Sequence, residues 1–126
     1  MPSARVMVID DDEDIRTLVC LVLEIEGYRP MAASDGVDAL KILNESPLPS
    51  LILLDVMMPR MSGEELVPVL RSSPRLAGIP VVIMSGHNDA REKARALAAH
   101  SCLVKPVDVD VLLSTVHKVV DAQSSS

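Results

Sequence analysis

The chain has 126 residues, 48% of them hydrophobic and 24% charged, a length that fits one domain around a single core. Its formal net charge is −6 and it carries no basic cluster, which argues against direct binding of nucleic acid. No apolar run approaches the ~18 residues of a membrane span, and no charged leader with a long apolar stretch opens the chain, so neither a membrane nor a secretory route is expected. Cys20 and Cys102 both lie in apolar runs, which reads as reduced, packed thiols in a cytoplasmic setting rather than as a disulfide. Phe and Trp are absent and Tyr28 is the sole aromatic residue, so the core must be aliphatic and base or flavin stacking has no platform.

In chain order, a first apolar run spans Arg5 to Ile9. Helical spacing follows at Ile15, Leu18, Val19, Val22 and Ile25, and Gly27 supplies a stop. A weaker run from Tyr28 to Ala33 contains Pro30, which cannot donate to a ladder and predicts an edge strand. Asp35-Gly36 leads into a helix through Val37, Leu40 and Leu43. Leu51 to Leu54 form the third run, and the Ser62-Gly63-Glu64-Glu65 capping box opens a helix carrying Leu66, Val67 and Leu70. Pro68 lies inside that helix and predicts a kink or broken turn. Val81 to Met84 form the fourth run, and Asn88 or Asp89 opens an Ala-rich helix through Ala99. Cys102 to Val104 form the fifth run, and Asp108 opens a last helix with Leu112, Val116, Val119 and Val120 on one stripe. The expected domain covers residues 1–122, with 123–126 a flexible tail.

Apolar runs without alternation are buried on both faces, which points to a parallel sheet covered by helices. The pattern predicts an α/β fold, a single doubly wound (βα)5 domain with strand order 2-1-3-4-5, which puts the Pro30 strand at an edge.

Open parallel sheets bind ligands at the carboxyl ends of their strands. Asp10 and Asp11 follow the first run, Asp55 the third, Ser85 and Gly86 the fourth, and Lys105 and Pro106 the fifth. Converging carboxylates repel one another, and a hard divalent cation such as Mg²⁺ relieves the repulsion through oxygen ligands. Lys105 suits a phosphoryl oxygen, Ser85 can donate to another, and Asp55 is the nucleophile candidate for an aspartyl phosphate. Each residue alone has a plainer reading, as a cap, a turn or a solvated helix start. Their weight lies in sharing one end of successive buried strands.

Val8-Ile9-Asp10-Asp11-Asp12, Leu53-Leu54-Asp55-Val56-Met57-Met58-Pro59, Met61-Ser62-Gly63, Ser85-Gly86 and Val104-Lys105-Pro106 together resemble the receiver domain of two-component response regulators, chemotaxis-regulator-like, over the whole chain. That family's fold has the 2-1-3-4-5 order. The resemblance implies that Asp55 is phosphorylated and that Asp11, Asp55 and the Met57 carbonyl ligate Mg²⁺. Asp10 would act mostly through water, and Ser85 and Lys105 would hold the phosphoryl group. It also implies a cis Lys105–Pro106 bond and a histidine kinase, phosphotransfer protein or small phosphodonor as the source of phosphate. Output would pass to an effector protein through the face of helix 4, strand 5 and helix 5, with a phosphorylation-dependent homodimer also in view. Such a module is not an enzyme beyond its own phosphorylation and dephosphorylation. No effector follows the fifth helix within these residues, which leaves open a stand-alone regulator or a receiver excised from a hybrid kinase or larger regulator.

Two positions, Cys102 and Ala98, depart from the family, and Met57 and His87 bear on the lifetime of the phosphate. Cys102 stands where an aromatic residue usually moves with the hydroxyl residue, so signalling is expected through the Ser85–Asn88 loop and the fourth helix. Ala98 replaces a frequent glycine and is expected to extend the fourth helix. Met57 cannot orient water, and His87 could orient or shield it, so a long-lived phosphate is expected. A metal-dependent phosphohydrolase would need an acid at position 57, and a flavodoxin-like carrier would need a phosphate loop where Asp10 to Asp14 stand. His100 and His117 are expected at the surface, Cys20 packed, and the methionines as core filler.

Overall fold

In the computed structural model, residues 4–58, 60–86 and 90–124 are described. Five strands alternate with five helices: β1 Arg5–Ile9, α1 Glu13–Ile25, β2 Arg29–Ala33, α2 Gly36–Glu45, β3 Leu51–Asp55, α3 Gly63–Ser72, β4 Val81–Gly86, α4 Ala90–Ala96, β5 Ser101–Lys105 and α5 Val109–Ser124. The sheet is parallel, in the order β2-β1-β3-β4-β5, with the Pro30 strand at one edge as expected.

The unbroken apolar runs divide their side chains between two cores. Met7, Ile9, Ile52, Leu54, Val81 and Ile83 face α2, α3 and α4, where they meet Leu43, Leu66, Leu70 and Ala94. Val6, Val8, Leu51, Leu53, Val82 and Met84 face α1 and α5, where they meet Val19, Leu23, Leu112 and Val116. Each such side chain contributes about 1.5–3 kcal/mol by leaving water, so strand alternation spreads the stabilisation over both layers.

Carboxylates and one hydroxyl start the helices. Asp12 accepts the N–H groups of Asp14 and Ile15 at 2.9 and 3.2 Å to cap α1. Ser62 and Glu65 form the expected reciprocal capping box of α3.

Several expectations are corrected. In α1 the buried line is Val19 and Leu23, while Leu18 is 54% and Ile25 75% exposed. The spacing was apolar on two faces, and only one meets the sheet. The broken turn expected at Pro68 is not found: α3 runs through this exposed residue and forgoes one N–H bond there. α4 ends at Ala96 rather than Ala99, because Ala98 turns to φ 53°, the left-handed conformation glycine usually provides. The Asn88 or Asp89 start of that helix lies outside the described residues. α5 continues to Ser124, two residues into the expected tail. Met7, Met58 and Met84 are buried as core filler, but Met57 is not. Cys20 is only half-buried.

His117 is not a simple surface residue. Its Nδ1 pairs with the Tyr28 hydroxyl at 2.5 Å and its Nε2 with Glu26 at 3.2 Å, joining α5 to the turn after α1. His100 is exposed, as expected.

Candidate functional site

Parallel pairing brings the carboxyl ends of β1, β3, β4 and β5 to one rim. The register sets Asp55 beside Met84, Ser85 beside Val104 and Gly86 beside Lys105. Asp55 and Lys105 are therefore the last rungs of their strands and Ser85 the last but one, all within the ladder rather than in the loops beyond, and the ladder itself fixes their backbone.

Asp10, Asp11 and Asp55 each offer a carboxylate oxygen, all within 4.8 Å of one another. Asp10 is fully buried. Its Oδ1 accepts the Asp12 N–H at 2.9 Å, and its Oδ2 accepts from Lys105 Nζ at 2.9 Å. Its backbone is held twice more, by its N–H to the Ala33 carbonyl at 3.1 Å and by Arg16 Nη1 on its carbonyl at 2.7 Å. Asp55 is buried too. Its Oδ1 accepts the Met57 N–H at 3.3 Å and lies 3.4 Å from Lys105 Nζ. Asp11 faces solvent and Ser85 is buried. The Lys105–Pro106 bond is cis, as expected.

The electrostatics follow from this crowding. Burial, then the Asp10 charge, push the Asp55 carboxyl up to about 6, against the opposing pull of Lys105 and the Met57 N–H. Burial alone would lower the Lys105 ammonium, but its bonds to Asp10 and Asp55 outweigh that and raise it. One ammonium among three carboxylates leaves two negative charges unbalanced when all are ionised. The donor set fits a hard divalent cation: all-oxygen, one member exposed, and short of positive charge. A bound cation would reverse the upward push on Asp55.

Every site residue named from the sequence falls at this rim except His87, which lies outside the described residues. Met57 follows β3 there and is 73% exposed. Sequence reasoning missed Arg16 and the pair formed by Asp35 and Arg60. A lone arginine or an Asp-Gly start to a helix carries no signal of what it will touch across the fold.

A doubly wound parallel sheet with three acids, a hydroxyl and a lysine on its carboxyl rim defines an α/β module with a charged site at its strand ends. Residues 6–117 match the model of the response regulator receiver domain, and the chain belongs to that family. It is 35% identical over 120 residues to the phosphate regulon transcriptional regulatory protein PhoB of Klebsiella pneumoniae, covering 94% of this chain and 52% of PhoB. It thus spans about half the length of that relative. It is 36% identical over 115 residues to the CAI-1 autoinducer sensor kinase/phosphatase CqsS of Vibrio cholerae, covering 89% of this chain and 17% of CqsS. The fold overlays the chemotaxis protein CheY4 of Vibrio cholerae with a TM-score of 0.84 at 31% identity, covering 93% of this chain and 98% of that one. Receiver domains are signalling domains, found also as modules of sensor kinases and larger regulators. No helix among the described residues is long and apolar enough to cross a membrane.

Proposed function

We propose that this chain is a Mg²⁺-dependent phospho-acceptor switch whose acceptor is Asp55. The observation that carries the reading is the meeting of Asp10, Asp11 and Asp55 with Lys105 on one rim. Asp11, Asp55 and the Met57 carbonyl would hold the cation, and Asp10 would act on it through water. When bound, it would supply positive charge to offset the acids and the incoming phosphoryl oxygens. An Asp55 carboxylate oxygen attacks phosphorus in line; its electron pair forms the new O–P bond as the bond to the donor's leaving group breaks. Lys105 Nζ, already between Asp10 and Asp55, donates to one phosphoryl oxygen, and the Ser85 hydroxyl donates to another.

A histidine kinase or phosphotransfer protein in the cytoplasm supplies the phosphoryl group. An apolar cavity of about 160 Å³ beside Lys105, lined by Ile15, Leu18, Val22, Pro106 and Leu112, supports a protein donor seated between α1 and α5. Output passes through the α4–β5–α5 face to an effector, or to a second phosphorylated copy, and the module serves alone or within a larger regulator or hybrid kinase. Cys102 is half-buried against the core and too small for an aromatic swing, which supports switching through Ser85 and α4. A phosphorylated structure with Ser85 and α4 unmoved would contradict that route. Met57 has no group to orient water, which supports a slow loss of the phosphoryl group; label lost within seconds would contradict it.

Intact-mass spectrometry after incubation with acetyl phosphate and Mg²⁺ tests the acceptor. One phosphoryl adduct is expected, absent in Asp55→Asn and absent without divalent cation. An adduct that persists in Asp55→Asn would overturn the assignment.

A further inference from the structure

We propose that Asp35 and Arg60, outside the acidic cluster, are positioning residues that set Mg²⁺ affinity by clamping the segment that carries the Met57 carbonyl. The proposal rests on the reading of the cluster as a Mg²⁺ site.

Among the described residues, the segment between Asp55 and the start of α3 at Gly63 is fastened at two places. At its base the Gly63 N–H closes on the Val56 carbonyl at 3.0 Å, and the Met58 side chain enters the core. The outer part is fastened from a different element, the start of α2. Arg60 Nε donates to Asp35 Oδ2 at 2.5 Å, and the Gly36 N–H donates to the Met61 carbonyl at 3.1 Å. The approach is close enough that a Cβ on Gly36 would lie 2.6 Å from Met61 Cγ.

Asp35 is a firm anchor. It is buried, and its other oxygen accepts the Asp38 N–H at 2.8 Å to cap α2. Burial alone would raise its carboxyl, but the Asp38 N–H and Arg60 outweigh that and hold it below the usual range. Arg60 is the adjustable half, with its side chain 62% exposed. Its removal takes away the latch without opening the core or uncapping α2.

A neutral carbonyl ligand contributes only when held at its distance. Mg²⁺ demands near-octahedral ligands at about 2.0–2.1 Å, whereas Ca²⁺ accepts looser geometry at about 2.3–2.6 Å. Loosening the segment should therefore harm Mg²⁺ more than Ca²⁺. The sign also separates positioning from charge. Removing the Arg60 cation should strengthen cation binding through space, while loss of the clamp should weaken it.

The test measures Mn²⁺ binding by electron paramagnetic resonance, with Mg²⁺ and Ca²⁺ read by competition, without any phosphodonor. Arg60→Ala is expected to weaken Mg²⁺ roughly 10-fold, at the low end for outer-sphere partners, and Ca²⁺ less than about 2-fold. Asp35→Asn keeps an acceptor for the α2 cap and should shift Mg²⁺ in the same direction. Arg60→Lys should recover part of the loss, and saturating Mg²⁺ should restore phosphorylation of Arg60→Ala by acetyl phosphate to the wild-type rate. Unchanged or tighter Mg²⁺ binding by Arg60→Ala, or equal loss of both ions, overturns the clamp. Equal Mn²⁺ binding by the wild type and Asp55→Asn would instead remove the metal site itself, and the clamp with it.

Discussion

The two ends of the sheet treat charge in opposite ways. At the amino ends of the strands, arginines are satisfied by neutral main-chain carbonyls. Arg71 donates to Ala77, Ile79 and Ala98 at 2.9, 3.2 and 3.5 Å, and Arg75 donates to Leu43 and Ser46 at 2.9 and 3.3 Å. At the carboxyl rim, three carboxylates share one lysine. The first arrangement ties loops down and asks nothing of solution. The second is incomplete by itself, and its strain is what a cation or phosphoryl group can relieve. Stability and function are thus sorted to opposite ends of the same strands.

Removing charge should accordingly have opposite signs at the two ends. The largest effect belongs to Asp55→Asn. A free aspartate titrates near 3.8, and the folded carboxyl near 6. With the folded value raised, the stability this group contributes is full below pH 4 and lost as pH rises through 6. Without divalent cation, Asp55→Asn should therefore be more stable than wild type by about 3 kcal/mol at pH 7, with the gain gone below pH 4. Urea denaturation at both pH values checks it, and saturating Mg²⁺ should shrink the gap by stabilising only the wild type.

Next comes the opposite end. Arg71→Ala should lose about 2 kcal/mol, since it leaves carbonyls of the α3–β4 connection and the turn before β5 without a charged donor. Its loss should not depend on Mg²⁺. A gain in stability, or a Mg²⁺-dependent loss, would blur the distinction between the ends.

The smallest effect is at Ala98. Its φ of 53° costs an L-residue about 1–2 kcal/mol, partly offset by the greater chain entropy that glycine loses on folding. Ala98→Gly should raise the stability by about 1 kcal/mol and leave phosphorylation unchanged. A destabilised Ala98→Gly would show that the turn is not strained.

What the sequence disclosed follows the same division. Apolar runs buried on both faces declared the parallel sheet, and the residues ending those runs declared the rim, because parallel register carries each strand end to one edge. The helix starts at Asp35 and Ser62 were readable because a cap acts within four residues. Features set by distant partners were not readable. Leu18 and Ile25 match helical spacing as well as Leu23 does, and only the position of the sheet separates them. The turn before β5 forces Ala98 into a glycine-like conformation instead of another turn of α4. Arg60 meets Asp35 across 25 residues, and His117 meets Tyr28 across 89.

The central claim is that three crowded acids await a cation. It is tested most directly by following the Asp55 carboxyl carbon through a pH titration by nuclear magnetic resonance, with and without Mg²⁺. A midpoint near 6 that falls by more than one unit when Mg²⁺ is added is the predicted result. An ordinary midpoint near 3.8, indifferent to Mg²⁺, would contradict it.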